Sequence, residues 1–200
     1  MAIKNIIFDF GGVLVDWNPE YFYETVFDDK SELHYFLNEV CTLDWNLEQD
    51  RGRTFEEGIK ELQKEHPKYK EEIAMYLEGF DVMLREEISA NTELIEPLKE
   101  HNHVYGLTNC SAETITIIED KFSFPHKLEG MVVSGREKTV KPHSRIYEIL
   151  LERYNLNAED CLFVDDRKKN IEGARKAGLK GIHFSNGTNL KKEFQKWDVL

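Results

Sequence analysis

The sequence predicts an α/β fold: a doubly wound parallel sheet interrupted after its first strand by an inserted all-helical cap. Three observations carry that expectation. Ile6-Ile7-Phe8 is an apolar run without alternation, the habit of a strand buried on both faces. From Asn91 onward, strand-like and helix-like stretches take turns, as right-handed crossovers between parallel strands require. Between about residues 16 and 85 only helical periodicity is visible. The expected division is therefore residues 1–15 and 86–200 for the α/β core and 16–85 for the cap.

The first strand ends on Asp9 and turns at once through Gly11-Gly12, which lets the backbone come close to a bound group. In the cap, Tyr21, Phe22, Val26 and Phe27 recur at helical spacing, as do Leu33, Phe36, Leu37 and Val40. Phe55, Ile59 and Leu62 form a third stripe, and Ile73, Tyr76, Leu77 and Phe80 a fourth. Ser31 is a candidate N-cap, Thr54 with Glu57 fits a capping box, and Pro67 ends the third helix. In the second half, a helix near 92–100 is expected to kink or start late at Pro97. The strand 104–107, a helix 112–120 and the strand 130–133 follow. A helix 144–154, the strand 161–164, a helix 170–177 and the strand 181–184 complete the alternation, with a polar, helical tail.

Composition limits the function. Two hundred residues with 40% hydrophobic content suffice for one substantial core. A net charge of -12 argues against nucleic acid as partner, since phosphate backbones demand clustered Lys and Arg. No apolar run reaches membrane-spanning length. The chain opens on its first strand without a signal-peptide pattern, and its cysteines, Cys41, Cys110 and Cys161, are odd in number with no CxxC spacing. A cytoplasmic protein is the expectation.

Four strand ends carry polar residues that belong together: Asp9, then Thr108-Asn109, then Lys141-Pro142 in the loop after the third, then Asp165-Asp166. Two adjacent acids at a buried edge repel each other unless a cation intervenes. A carboxylate nucleophile, a lysine point charge and oxygen ligands for Mg2+ are the parts of a phosphoryl-transfer site, where catalysis is mostly positioning and charge neutralisation.

In order and spacing, Asp9-Phe10-Gly11-Gly12-Val13, Leu107-Thr108-Asn109, Lys141-Pro142 and Asp165-Asp166-Arg167-Lys168-Lys169-Asn170 resemble the four motifs of the haloacid dehalogenase (HAD) superfamily. That family's Rossmann-like core places a small cap where the helical insertion lies here. The resemblance implies that Asp9 is the nucleophile, that Thr108 and Lys141 hold the phosphate, with Asn109 beside them, and that Asp9, the Gly11 backbone carbonyl and the Asp165/Asp166 pair hold Mg2+. The form of the first and fourth motifs is similar to sugar phosphatases of the glucose-1-phosphate phosphatase type. It implies a Mg-dependent phosphatase acting on a small phosphorylated metabolite, with a sugar phosphate as the expected substrate.

One position departs from the pattern. Phosphatases of the superfamily usually carry a second Asp two residues after the nucleophile as general acid and base, and here that place is Gly11. Such help is worth about two to four powers of ten, so its loss favours substrates with a stable leaving group. It also leaves a catalytically weak phospho-ligand or partner-binding protein as an alternative. A 2-haloacid dehalogenase is disfavoured, because the Asp165-Asp166 pair would be uncompensated without metal. A phosphomutase would lack the acid at both half-steps. For specificity the loop Asp50-Arg51-Gly52-Arg53 in the cap is the candidate, Arg51 first among its side chains. Asp16, at the entrance to the insertion, is a candidate for the missing proton donor, but its first reading is an acidic hinge residue.

Overall fold

A computed structural model describes residues 2–185 and 187–200. Seven strands are present among them: β1 Asn5–Phe8, β2 Val15–Trp17, β3 Leu84–Glu87, β4 His103–Thr108, β5 Gly130–Val133, β6 Cys161–Asp165 and β7 Lys180–His183. Five of these form one sheet in the order β5-β4-β1-β6-β7, every pair parallel. The chain runs outward from β1 through β4 and β5, then returns to build β6 and β7 on the other side. Strand order thus reverses beside β1, and the crevice outside its carboxyl end is where such sheets bind ligands.

Alternation within β1 explains why its sequence shows none. Ile6 and Phe8 pack into a core that also receives the cap, while Ile7 joins Tyr105, Leu107, Phe163, Ile146 and Tyr147 on the opposite face. Both faces are covered, so every residue of the run is fully buried. Register then sets the site. Phe8 lies level with Gly106 and with Val164, so the next residue, Asp9, comes level with the ends of β4 and β6. The helices predicted over 144–154 and 170–177 appear as Ser144–Tyr154 and Lys168–Lys176, and the one near 92–100 starts late, at Ile95, with Pro97 in its first turn.

Two details of the insertion differ from the sequence reading. β2 and β3 pair antiparallel at its two ends, Val15 with Glu87 and Trp17 with Leu84, so the connection to the core is a short two-stranded ribbon. Leu84-Arg85-Glu86-Glu87 has no apolar alternation to announce a strand; backbone pairing rather than side-chain burial makes it one. The second helix is capped by Asp29, which accepts from the Ser31 N–H, in place of Ser31 itself. The helix predicted third is Phe55–Glu65, fourth among the α-helices of the insertion after Leu43–Asp50; it keeps its expected capping box on Thr54 and Glu57 and ends two residues before Pro67. Tyr23, Phe36, Trp45, Phe55, Tyr69 and Tyr76 form a contiguous aromatic core in the cap. No helix among the described residues is long and apolar enough to cross a membrane.

Candidate active site

The tip of β1 folds back on itself. The N–H groups of Val13, Leu14 and Val15 all donate to the Phe10 carbonyl, and Asn91 Nδ2 donates to the Val13 carbonyl at 2.7 Å. Gly12 adopts φ +74, a left-handed conformation that favours glycine, and a Cβ there would lie 2.7 Å from Asp166 Oδ2. Both requirements bring the turn after Asp9 against the end of β6. At Gly11 a Cβ would meet nothing within 4 Å. The space for a larger residue exists and is unfilled.

Lys141 is the hub. Its Nζ, fully buried, lies 2.7 Å from Asp9 Oδ1, 2.8 Å from Asp165 Oδ2 and 2.9 Å from the Leu107 carbonyl, so its three donors each have an acceptor. Asn109 clamps the Lys141 backbone: its Oδ1 accepts from the Lys141 N–H at 2.8 Å and its Nδ2 donates to the Lys141 carbonyl at 3.1 Å. Asp165 is held in turn by the Arg167 N–H at 2.7 Å and by Asn170 Nδ2 at 3.0 Å. The helix carrying Asn170 can approach because Gly173 faces the Pro142 carbonyl, where a Cβ would stand at 2.6 Å.

Electrostatics sorts the acids. Burial pushes the Asp9 carboxyl well above the usual range, with the Asp165 charge adding to it and Lys141 opposing. Asp165 is also penalised by burial, but the Lys141 charge and hydrogen bond carry it below its ordinary value. Lys141, despite burial, is raised by the charges of Asp165 and Asp9. Asp166 is raised by burial and by its neighbour Asp165. Oxygens of Asp9, Asp165 and Asp166 lie within 4.8 Å of one another. Three carboxylates thus face one ammonium, and the two uncompensated negative charges fit a divalent cation held by oxygen ligands. Asp165 is committed to Lys141 and Asn170, which leaves Asp9 and Asp166 as the carboxylates free to take it.

Above the strand ends lies a cavity of about 240 Å³ between core and cap. Its floor is Asp9, Gly11, Thr108, Asn109, Asp166 and Arg167; its apolar walls include Trp17, Leu43, Leu47, Phe80 and Ile118. Of the cap segment 50–53, only Asp50, the last residue of the helix Leu43–Asp50, lines it. Arg51 lies outside, paired with Glu48 at 3.5 Å, and Arg53 is used inside the cap by Gln49, Glu61 and the Trp45 carbonyl. Asp16 accepts from Tyr21 Oη at 2.8 Å and stays at the ribbon, outside the cavity. Lys141 does not line the cavity; it is paired with Asp9, which does. Arg167 and Asn46 are cavity residues that the sequence reading did not single out. Arg167 could have been found from its place after the Asp pair, whereas nothing in the helical pattern marks Asn46. Cys110, buried with its thiol pushed up by burial, is a packing residue.

A sequence profile described as Haloacid dehalogenase-like hydrolase matches residues 6–184. The sesquiterpene phosphatase astK of Aspergillus oryzae is 26% identical over 187 residues, covering 92% of this chain and 91% of that protein. The D-ribitol-5-phosphate phosphatase of Bacteroides thetaiotaomicron is 22% identical over 208 residues, 96% of both chains. Among solved structures, the HAD family enzyme bt-2542 of Bacteroides thetaiotaomicron, in complex with magnesium and inorganic phosphate, superposes with a TM-score of 0.79. It is 22% identical and covers 96% of this chain and 100% of that one.

Proposed function

The chain belongs to the haloacid dehalogenase-like hydrolase family, and on that premise we propose a Mg-dependent phosphatase that hydrolyses a small phosphorylated metabolite through an aspartyl-phosphate on Asp9. The observation that carries this reading is the buried Lys141 bridging Asp9 and Asp165 with Asp166 close by. Lys141 fixes one oxygen of Asp9 and leaves the other directed toward incoming phosphorus. Asp165 fixes Lys141, so the nucleophile is oriented before substrate arrives. Thr108 and Arg167 line the cavity where phosphate oxygens would lie. Asp9, Asp166 and the Gly11 carbonyl are the ligands assigned to Mg2+, which when bound neutralises charge on the transferring phosphoryl group. The curated relatives that act on phosphate esters support the reaction class.

For the substrate, we infer a sugar or polyol phosphate. Trp17 and Phe80, with ring centroids 6.4 Å apart, offer an apolar platform for one face of a sugar, and Asn46 and Asp50 offer hydrogen-bonding groups beside it. The decisive experiment is a panel of sugar, polyol, sesquiterpenyl and aryl phosphates assayed with Mg2+ and with EDTA, for the wild type and Asp9→Asn. Turnover requires both metal and Asp9. Equal activity in the Asp9→Asn variant overturns the mechanism.

Gly11 favours a second reading, a binder of phosphorylated ligands with little turnover. That reading requires tight phosphate binding with no phosphorylated Asp9 trapped from any member of the panel.

A further inference from the structure

The cavity supplies a carboxyl group that the first motif lacks. Among the described residues, Asp50 is the sole carboxylic acid that the cap brings to the cavity shared with Asp9. Its backbone is fastened to the core at the end of β4: Ser134 Oγ donates to the Asp50 carbonyl at 2.6 Å and accepts from the Cys110 N–H at 2.9 Å. Cys110 stands two residues beyond Thr108, so Asp50 is carried over the edge of the sheet where phosphate would sit. Asp50 is only 9% exposed, and its carboxyl has one side-chain partner, Asn46 Nδ2, at a long 3.3 Å. Asn46, itself 8% exposed and lining the cavity, keeps its Oδ1 without a partner among the described residues. A buried polar atom left open beside a cavity is most economically satisfied by a ligand.

We propose that Asp50, reaching in from the cap, is the catalytic residue that gives the leaving-group proton for which position 11 has no side chain. The proposal rests on the phosphatase reading above. In the first step the free Asp9 oxygen bonds to phosphorus, the phosphorus–oxygen bond to the alcohol breaks, and the Asp50 proton passes to the departing oxygen, giving the neutral alcohol. In the second, water loses a proton to the Asp50 carboxylate as its oxygen bonds to phosphorus. The bond to Asp9 then breaks, releasing phosphate and restoring the Asp9 carboxylate and the Asp50 acid.

The surroundings suit that role. Burial pushes the Asp50 carboxyl up to about 7, against the opposing charges of Arg167 and Lys141 and a hydrogen bond from the Ser111 backbone. Cys110 of the core and Tyr76 of the cap are the titratable groups that feel its charge, and burial pushes both above their ordinary values, so they stay neutral when Asp50 ionises. An acid poised near neutrality maximises the product of correct protonation and driving force. Proton donation from the cap also couples chemistry to closure, since Asp50 meets the leaving group only when the cap is seated.

The test compares wild type with Asp50→Asn on an alkyl phosphate, glycerol 3-phosphate, and on 4-nitrophenyl phosphate, whose leaving group departs without a proton. The expected result is a change of about 100-fold in the ratio of the two kcat/KM values, the alkyl ester losing more. The decline of the wild-type alkyl-ester kcat above about pH 7 disappears in the variant. Adding Gly11→Asp to Asp50→Asn, into the open space at that position, is expected to restore the ratio. Equal losses on both esters, or no loss on the alkyl ester, overturn the proposal. If Asp50→Asn does not fold, the wild type decides: its rates depend weakly on leaving-group pKa below neutrality and steeply above, and a steep dependence at every pH overturns the proposal. A wild type with no Asp9-dependent turnover of either ester overturns the phosphatase reading itself.

Discussion

The floor and the wall of the cavity are built on opposite principles. At the strand ends, Lys141 spends its three donors on Asp9, Asp165 and the Leu107 carbonyl, and Asp165 is gripped by Lys141, Asn170 and the Arg167 N–H. In the cap wall, Trp17 Nε1 and Asn46 Oδ1 have no partner among the described residues, and Asp50 has one long hydrogen bond from a side chain. Reacting groups must be fixed before substrate arrives, because reorganisation during the reaction raises the barrier. Groups that recognise a substrate must keep hydrogen-bonding capacity in reserve for it. The over-connected floor and the under-connected wall therefore hold the proposed nucleophile fixed below and keep bonding capacity in reserve above, for a substrate and for the proton that Asp50 is proposed to transfer.

The sharpest way to break this contrast is at the floor. Asp9→Asn is expected to lower turnover of an aryl phosphate by at least about a thousandfold, with the far-UV circular dichroism of the wild type retained. Lys141→Met leaves Asp9 and Asp165 buried without their cation, and breaking a buried pair in this way costs about 3–5 kcal/mol. Urea unfolding measures that loss. It shrinks as pH falls, because protonation relieves the stranded carboxylates. A loss under 1 kcal/mol at neutral pH would mean that the network is not holding the floor together.

This contrast also explains what the sequence could tell. Asp9, Thr108, Asn109, Lys141, Asp165 and Asp166 each follow an apolar strand or stand in the loop after one, and parallel strands deliver such positions to one edge whatever the details of packing. Their meeting was therefore legible from order and spacing. The capping box at Thr54 was legible for a similar reason, being a local pattern. Helical periodicity in the cap, however, says which residues are buried and not what they face. Asp50 and Arg51 are neighbours at the C-terminus of the helix Leu43–Asp50, yet Asp50 turns into the cavity and Arg51 pairs with Glu48 outside it. The β2–β3 ribbon escaped for another reason: Leu84-Arg85-Glu86-Glu87 gains its pairing from Val15–Trp17, almost seventy residues away, and no local signal records that.

At the wall, Asp50 gives a thermodynamic signature separate from its effect on rate. Its folded-state value of about 7 lies above the ordinary 3.8, so the unfolded chain releases this proton first as pH rises. Wild-type stability therefore declines between about pH 4 and pH 7 through this group and levels off above it. Asp50→Asn removes that decline. In metal-free buffer the variant gains on the wild type across this window by up to about 4 kcal/mol, with Asp9 and its neighbours contributing equally to both proteins. Denaturant midpoints at pH 4.5, 6 and 8 check this. A difference that stays constant with pH would place the Asp50 carboxyl in a watery setting and leave the wall without its acid.

The smallest effect tests the seam between the two regions. Glu113, on the core side, accepts from the Phe55 N–H at 2.9 Å, at the N-terminus of the cap helix Phe55–Glu65. A carboxylate there meets the positive end of the helix and is worth about 0.3–1 kcal/mol. Glu113→Gln keeps an acceptor and removes the charge, so the seated cap loses that increment and nothing at the floor changes. Glu113 touches neither Asp9 nor the cavity. The expected outcome is a rise in KM of about two- to fivefold with kcat nearly unchanged, and a smaller difference from wild type at high salt, where the charge is screened. A fall in kcat at constant KM would show that seating the cap and orienting Asp9 are one event.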